Sequence, residues 1–375
     1  MNLELFFQIF GKLDDECQAS KVTYSLFDIL FTSLCAVIAG ADGWKDIQEY
    51  AEGHLDWFQK NGFLKDGVPV DDTIARTIAR IEPEQFNQCF VEWMQAVNRL
   101  SKGEIIAIDG KTLRGSYDRD DRRSTLHMIN AFACKNKMVL GQVSTDVKSN
   151  EITAIPELIQ LLDIKGALVS IDAMGCQKEI AKAIVRKQAD YLLAVKGNQE
   201  SLHRELQEQF DDFRCTAQTE NLVIEKNRSR LEARACKVLC AKEVAKNFPD
   251  WPKLKTVGVS MGYRQEKGKE PSLEYRYYIS SAELTEEQFS EAVRAHWAVE
   301  NSLHWVLDLS MNEDRCQIYK DNSAENCGIL RQTSLNMLRK EKTKASIPTK
   351  RKRAWMKTDY LEKVLKAGLT EVNKT

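Results

Sequence analysis

The chain has 375 residues, 43% of them hydrophobic and 29% charged, with a formal net charge of −1; this length suffices for one large domain with an extension or for two or three smaller domains. It contains no apolar run of about 18 residues and no basic-then-apolar N-terminus, patterns that would indicate a membrane span or a signal peptide. We therefore expect a cytoplasmic protein with no membrane partner, and the net charge by itself does not indicate a nucleic-acid partner.

The first part of the chain is predicted to be helical, because apolar residues recur at helical spacing up to Gly40, a reasonable helix end. Further along, Asp71 or Asp72 is placed to cap a short helix and Pro83 to begin the next one. Two such helices form either a helix-turn-helix that reads DNA or an ordinary packed pair, and both interpretations stay open. We assign residues 1–100 to a helical N-terminal domain, a candidate for recognising DNA ends.

From residue 104 the pattern changes to strands. The runs EIIAID, TLHMINAFACK and KMVLGQVST read as three strands joined by hairpins, and the helix EITAIPELIQLL, the strand ALVSID, the helix CQKEIAKAIVRKQ and the strand DYLLAV follow them. Three antiparallel strands followed by α-β-α-β predict an α/β fold with a mixed sheet covered by helices, the order of a ribonuclease H-like domain. We assign this domain to residues 101–200 and 285–340.

Residues 200–284 depart from that order. After a helical piece, the segments NLVIEKN, ARACKVLCA, KTVGVSMGYRQ and EYRYYISS are predicted strands. This part is therefore expected to be a β-rich insertion before the last catalytic helix, where helical spacing resumes in TEEQFSEAVRAHWAVENSLHWVLDL.

The C-terminal segment 341–375 begins within a strongly basic run. Residues 339–357 contain nine Lys or Arg and a single acid, with Trp355 among them. A run of this kind is typical either of a solvated tail or of a DNA contact, and the sequence leaves both open.

The ten cysteines are scattered along the chain. Only Cys236 and Cys240 lie close together, and no second pair completes a zinc site with them. We expect reduced thiols that mostly fill small apolar positions.

Two aspartates stand at the ends of apolar strands. Asp109 follows IIAI and Asp172 follows ALVSI, positions where an uncompensated carboxylate is costly. Either a neighbouring cation such as Lys111 or Arg114 compensates Asp109, or a metal ion does. A lone aspartate at a strand end is commonly a cap or a turn former, but two in one predicted sheet favour a site at the ends of adjacent strands.

A third carboxylate, Glu300, lies on the predicted helix with His296 and His304 one turn to either side. One interpretation is a histidine and tryptophan stripe packed in the core. Another is a zinc site, although the HExxH order is absent and the two histidines are two turns apart. A third is that Glu300 joins Asp109 and Asp172.

If the three acids converge, their oxygens select Mg²⁺, with Mn²⁺ as a substitute, in a two-metal site for phosphodiester chemistry. One ion would activate water or a 3′-hydroxyl, and the other would stabilise the leaving oxygen. Nearby basic groups are either phosphate clamps or structural ion-pair partners; the candidates are Lys111, Arg114, Lys196, Arg294 and His296.

The stretches around these acids resemble the DDE transposases of bacterial insertion sequences, specifically the H-repeat-associated group. The resemblance covers nearly the whole chain and rests on IAIDGKTLRGS, TDVKSNEITAIPELIQLLDIKG, DAMGCQKEIA, YLLAVKGNQ, YYISS and HWAVENSLHWVLDLSMNED. It implies a ribonuclease H-like domain with a mostly β insertion, in which Asp109, Asp172 and Glu300 are the catalytic, metal-binding residues.

The chain departs from the wider family pattern in two places. Where related transposases have Tyr and Arg before the Glu and Lys after it, this sequence has Val293, His296 and Leu307. Where relatives tend to have a His-Gly-Arg run, Arg228 and Ser229 replace the first two residues. These departures concern phosphate and DNA contacts rather than the three acids.

Taken together, the sequence predicts a transposase that binds double-stranded DNA, both the terminal repeats of its element and the target, as a homo-oligomer on DNA. It would work in the bacterial cytoplasm, associated with the nucleoid when bound. The alternatives are a decayed or domesticated copy that binds DNA without transposing, and a stand-alone nuclease of the same fold.

Overall fold

The computed structural model describes residues 3–14, 23–117, 125–145, 151–216, 222–227 and 230–372. The helices that come first are α1 Glu4–Phe10, α2 Leu26–Ala39, α3 Trp44–Gly53, α4 Leu55–Lys60, α5 Asp71–Arg80 and α6 Pro83–Val97. The next elements are β1 Ile105–Thr112, β2 His127–Ala133, β3 Met138–Thr145, α7 Glu151–Leu161, β4 Leu168–Ile171, α8 Lys178–Arg186 and β5 Asp190–Val195.

The second half of the chain begins with helices and then adds further strands. These elements are α9 Glu200–Gln209, α10 Asp211–Thr216, β6 Val223–Asn227, β7 Arg230–Cys240, α11 Lys242–Asn247, β8 Thr256–Glu266 and β9 Ser272–Ser280. The chain then continues through α12 Glu286–Val299, a π-helical turn Glu300–His304, α13 Trp305–Ser310, a 3-10 turn Glu313–Arg315, α14 Ser323–Lys340, α15 Ile347–Met356 and α16 Thr358–Leu369.

The described strands form one mixed sheet in the order β3-β2-β1-β4-β5-β9-β8-β7-β6. Strands β1, β2 and β3 are antiparallel neighbours, whereas β1, β4 and β5 run parallel. Helices α7, α8 and α12 pack against these strands. The prediction of an α/β fold with a mixed sheet and covering helices is confirmed.

The strands predicted between residues 200 and 284 form, and they continue the same sheet. Strand β9 pairs antiparallel with β5, placing Val195 opposite Tyr277 and Leu192 opposite Ser280. The first half of β9 is exposed and its last four residues are buried, so only its inner end joins the core. Local sequence patterns located these strands. They do not predict the pairing of β5 with β9, because these two strands are far apart in the sequence.

Helix α14 connects the N-terminal helices to the sheet. It packs against α2, α5, α6, α16 and β3, and nearly all its residues are buried. Its polar side chains complete hydrogen bonds inside the core: Asn336 Nδ2 donates to the Val139 carbonyl at 2.8 Å, and Asn336 Oδ1 accepts from the Val139 amide at 3.1 Å. One continuous hydrophobic core therefore runs from the N-terminal helices into the sheet.

The basic run near the C-terminus is folded into α15, and two of its cations are buried. Lys350 is 4% exposed and Arg351 7%. Lys350 Nζ donates to the Leu338 carbonyl at 2.7 Å, and Arg351 donates to the carbonyls of Val37 and Ala41 at 3.2 Å. Carbonyls at helix ends lack intrahelical partners, so these cations complete the ends of α14 and α2. The prediction of a solvated tail or DNA contact is wrong for these two residues.

Lys350→Met is expected to lower the free energy of unfolding by about 2 kcal/mol, because it removes charge-assisted hydrogen bonds and leaves buried carbonyls unpaired. The matched control is Lys352→Met, since Lys352 is exposed on the same helix and its loss should change stability by less than about 0.5 kcal/mol. Urea denaturation of the two variants and the parent measures the difference. Equal effects at both positions would contradict this role for Lys350.

The sequence predicts no membrane-spanning segment and reduced cysteines. Among the described helices, none alone is long and apolar enough to cross a membrane; one bent pair, α2 with α3 at 93°, meets the length and composition of a span. The described cysteines are free, and Cys35, Cys89, Cys176 and Cys327 are buried.

Candidate active site

The two aspartates lie side by side, but only Asp172 follows the end of its strand, whereas Asp109 lies within β1 opposite Asn130 of β2. Strands β1 and β4 are parallel neighbours with Ile108 opposite Ile171, so Asp109 and Asp172 each follow that pair by one residue. Asp172 Oδ1 accepts hydrogen bonds from the backbone amides of Met174 at 3.0 Å and Gly175 at 3.3 Å. These hydrogen bonds hold Asp172 in the turn that follows β4. An aspartate that forms this turn can also belong to a site at the end of the strand.

Asp109 is a partly buried carboxylate, with its side chain 21% exposed, among other negative charges. Burial, together with the negative charges of Glu300, Asp172 and Glu151, raises the pKa of Asp109 from 3.8 to about 7. The backbone amide of Gly110 donates to Asp109 Oδ1 at 3.0 Å and opposes the shift. A carboxylate that resists ionisation in this way is stabilised by a cation placed among the acids.

Glu300 begins the π-helical turn that interrupts the helix formed by α12 and α13. π-helical turns are rare and occur frequently at functional sites. The Glu300 side chain is 66% exposed, whereas the His304 side chain at the end of the turn is 6% exposed. His304 Nδ1 lies 3.4 Å from Glu300 Oε2 and 3.8 Å from Asp109 Oδ2.

Asp109, Glu300 and His304 each offer one ligand atom, and these atoms all lie within 4.8 Å of one another. The donor set of two carboxylate oxygens and one imidazole nitrogen suits a divalent cation. The structure thus brings Glu300 to Asp109 across a large sequence separation. His296, the other histidine of the zinc interpretation, is not part of this group; burial lowers its pKa and the charge of Asp172 raises it.

Lys111 is a buried ion-pair partner. Its side chain is 9% exposed and contacts three carboxylates: its Nζ pairs with Asp308, lies 2.5 Å from Glu313 and 3.6 Å from Asp314. Burial alone would lower the pKa of Lys111, but the charge of Glu313 and hydrogen bonds to Asp308 and Glu313 raise it. Lys111 therefore lies in a buried ion-pair cluster, as its structural interpretation predicts.

The other four basic candidates differ in their surroundings. The Arg114 side chain is 82% exposed, with its Nε 3.8 Å from Asp314, and Lys196 is exposed after β5. Arg294 is 58% exposed and lies 3.7 Å from Glu225. His296 is half-buried, and its Nδ1 has no hydrogen-bond partner among the described residues. Arg114, Lys196 and Arg294 are therefore accessible to an anionic ligand.

A groove with several guanidinium groups runs beside α12. Its lining includes Arg230, Arg234, Arg264, Arg276, Arg294 and Trp297. Arg276 lies over the Trp297 ring at 3.9 Å, and Trp297 is 48% exposed. Several of these arginines also pair with acids, for example Arg230 with Glu232 at 2.6 Å. Arg228 and Ser229, where the sequence departs from related transposases, lie outside the described residues.

A buried His–Glu pair lies against β1 and was not identified from the sequence. His127 Nε2 is 2.6 Å from Glu151 Oε1, and both side chains are less than a tenth exposed. A Cβ at Gly110 would come within 2.4 Å of His127 Nε2, so the glycine after Asp109 is required for this packing. The sequence drew attention to Asp109 and Gly110. It did not identify His127 and Glu151, because these residues come from β2 and α7.

The chain matches two family models along most of its length. Residues 7–94 match the family described as DDE_Tnp_1-associated, and residues 100–337 match the transposase DDE domain. "Putative transposase YncI" of Escherichia coli O157:H7 is 45% identical over 97% of this chain and 95% of its own length. "H repeat-associated putative transposase YhhI" of Escherichia coli K12 is 43% identical over 97% and 98%.

Among solved structures, a piggyBac transposase synaptic complex with hairpin DNA is 10% identical with a TM-score of 0.43, covering 97% of this chain and 80% of its own; this similarity is too low to support an argument. The family models and the curated relatives are sufficient without it. By its sequence, this chain belongs to the DDE transposase family, in the group of the H repeat-associated transposases.

Proposed function

We propose that this protein is a DNA transposase that binds the terminal repeats of its element and carries out metal-dependent cleavage and strand transfer at Asp109, Asp172 and Glu300. The observation that supports this most strongly is the convergence of Asp109 and Glu300, with Asp172 on the adjacent strand, in a chain of the DDE family. The strand order β3-β2-β1-β4-β5 supports a ribonuclease H-like core as the fold that presents these acids.

Divalent ions such as Mg²⁺ or Mn²⁺, when bound there, would supply an activated water or 3′-hydroxyl and stabilise the leaving oxygen. Asp109 and Asp172 hold the buried side of the site from rigid strands. Glu300 approaches from the helix, and its exposure places it at the mouth of the site, where a phosphodiester arrives. Because carboxylates must be ionised to bind a hard cation, the raised pKa of Asp109 should make ion binding strengthen as the pH rises towards and past neutrality.

DNA is the proposed partner, and the accessible cations are the proposed phosphate contacts. Arg114, Lys196 and Arg294 are exposed, while His296 sits one turn before Glu300. The arginine-lined groove beside α12 supports a path for the duplex towards the site, since contacts to phosphates position a protein on DNA. We also propose that the N-terminal helices contribute to end recognition, and that the protein acts in the cytoplasm as a homo-oligomer on DNA.

The test is a cleavage and strand-transfer assay with the full chain and DNA containing the ends that flank its gene, with Mg²⁺ or Mn²⁺. We expect ion-dependent nicking at the ends and joined products. Glu300→Gln and Asp172→Asn should lose both activities. Glu291→Gln is the matched control, because Glu291 is exposed on α12, and it should retain activity.

Each other outcome identifies a different function. End binding without any ion-dependent nicking would overturn the catalytic proposal and favour a protein that binds DNA without transposing. Nicking without joined products would favour a stand-alone nuclease. Activity at the parental level in both Glu300→Gln and Asp172→Asn would overturn the assignment of the site.

A further inference from the structure

His304 is the least expected member of the candidate site. It is a buried histidine at the end of the π-helical turn, and its Nδ1 faces both Glu300 and Asp109. At 3.4 and 3.8 Å from the two carboxylate oxygens, this nitrogen is farther from each than the usual length of a charge-assisted hydrogen bond, about 2.7–2.9 Å. The contact with Glu300 is therefore a long, weak hydrogen bond, and Asp109 Oδ2 lies beyond hydrogen-bonding distance.

The same distances agree with shared coordination of one ion. Ligand atoms about 2.1 Å from an octahedral ion stand about 3.0 Å apart when adjacent and about 4.2 Å apart when opposite. The separations of Nδ1 from Glu300 Oε2 and Asp109 Oδ2, 3.4 and 3.8 Å, lie between these two values. An ion that draws Nδ1 towards both carboxylates would shorten them to the adjacent separation.

The tautomer of His304 also permits ligation. A histidine binds a metal through the nitrogen that carries no proton, so the proton must lie on Nε2 if Nδ1 is the ligand. Nε2 is buried and has no hydrogen-bond partner among the described residues. A hydrogen-bond donor at Nε2 would force the proton onto Nδ1, and no such donor is found among the described residues.

We propose that His304 Nδ1 is a ligand of the same divalent ion that Asp109 and Glu300 hold, so that the site binds its ion through nitrogen as well as oxygen. This inference rests on the proposed metal-dependent function and adds a ligand to it. Imidazole is a poorer ligand for Mg²⁺ than for transition-metal ions. The site should therefore prefer Mn²⁺ over Mg²⁺ more strongly than one made of carboxylates alone.

Pulsed electron paramagnetic resonance of the full chain loaded with Mn²⁺ tests this directly, because a coordinated histidine couples its ¹⁴N nucleus to the ion. We expect a ¹⁴N signal that changes to ¹⁵N when the protein contains ¹⁵N-histidine. In His304→Gln the signal should disappear and the Mn²⁺ affinity should fall about 10-fold or more, with a smaller fall for Mg²⁺. Thermal unfolding shows whether the variant is folded, and His304→Asn is a second variant.

His296→Gln is the matched control, since His296 lies two turns away on the same helical segment and outside the ligand group; it should keep the ¹⁴N signal. Loss of the signal in His296→Gln instead of His304→Gln would overturn the assignment. If Mn²⁺ binding depends on Asp109 but shows no ¹⁴N coupling, this inference is wrong and the proposed function is unaffected. If Mn²⁺ binding does not depend on Asp109, both the proposed metal site and this inference fail.

Discussion

Asp109→Asn is expected to abolish metal-dependent DNA cleavage and to stabilise the metal-free protein at the same time. The loss of activity should reach about 10³-fold or more, because a metal-binding carboxylate supports several kcal/mol of transition-state stabilisation. The stabilisation follows from the surroundings of Asp109, which is partly buried near Glu300 and Asp172 and has its pKa raised from 3.8 to about 7. An uncharged side chain of the same shape avoids that cost.

The direction of the pH dependence follows from the protons bound in each state. Between about pH 4 and pH 7 the folded chain keeps the Asp109 proton while the unfolded chain has lost it, so the stability of the parent falls as the pH rises. The shift of about three pKa units corresponds to at most about 4 kcal/mol. The advantage of Asp109→Asn should therefore be small at pH 4 and reach its full size at pH 8.

Chemical denaturation in EDTA at several pH values measures this advantage, and a parallel cleavage assay measures the activity. Asp163→Asn, at an exposed position, is the control and should change neither quantity. Added Mn²⁺ should stabilise the parent and not Asp109→Asn, since only the parent binds the ion tightly. If Asp109→Asn is inactive but less stable than the parent at pH 8, the ionised Asp109 carboxylate does not destabilise the metal-free protein and this prediction is wrong.

Lys111→Met is expected to lower the free energy of unfolding by about 3–5 kcal/mol, because it leaves carboxylates buried without their cation. Glu313 is 4% exposed, and Lys111 contacts it together with Asp308 and Asp314. Activity should fall as well, since Asp308 lies on α13, directly after the turn that carries Glu300. In this role Lys111 links α13 and the 3-10 turn that follows it to β1.

The double variant Lys111→Met with Glu313→Gln separates charge from packing. It removes the buried carboxylate that lost its partner, so it should recover at least half of the lost stability in urea denaturation. Lys102→Met, at an exposed position, is the control for removing a lysine. Unfolding free energies of Lys111→Met and Lys102→Met that agree within about 0.5 kcal/mol would show that the ion-pair cluster contributes little.

Local patterns in the sequence were sufficient to find the elements and the three acids. Apolar and β-branched runs bounded by charged or glycine-containing turns located β1 to β5 and the strands of the insertion. Asp109 and Asp172 were recognisable because a carboxylate after an apolar run has to be compensated. The family followed from the order of rare motifs around them, and the comparisons confirm it.

Only the tertiary structure decided which charges face the site and which support the fold. The sequence left Lys111 between a phosphate clamp and an ion pair, and left residues 339–357 between a tail and a DNA contact. Burial places Lys111, Lys350 and Arg351 in contacts within the fold, and the partners of Lys111 and Arg351 come from segments distant in sequence. The convergence of Glu300 and His304 on Asp109 likewise depends on a π-helical turn and on the packing of α12 against β1. The sequence by itself thus determined which groups the protein carries, whereas folding determined their burial and neighbours, and these decide whether a charge binds a ligand or another side chain.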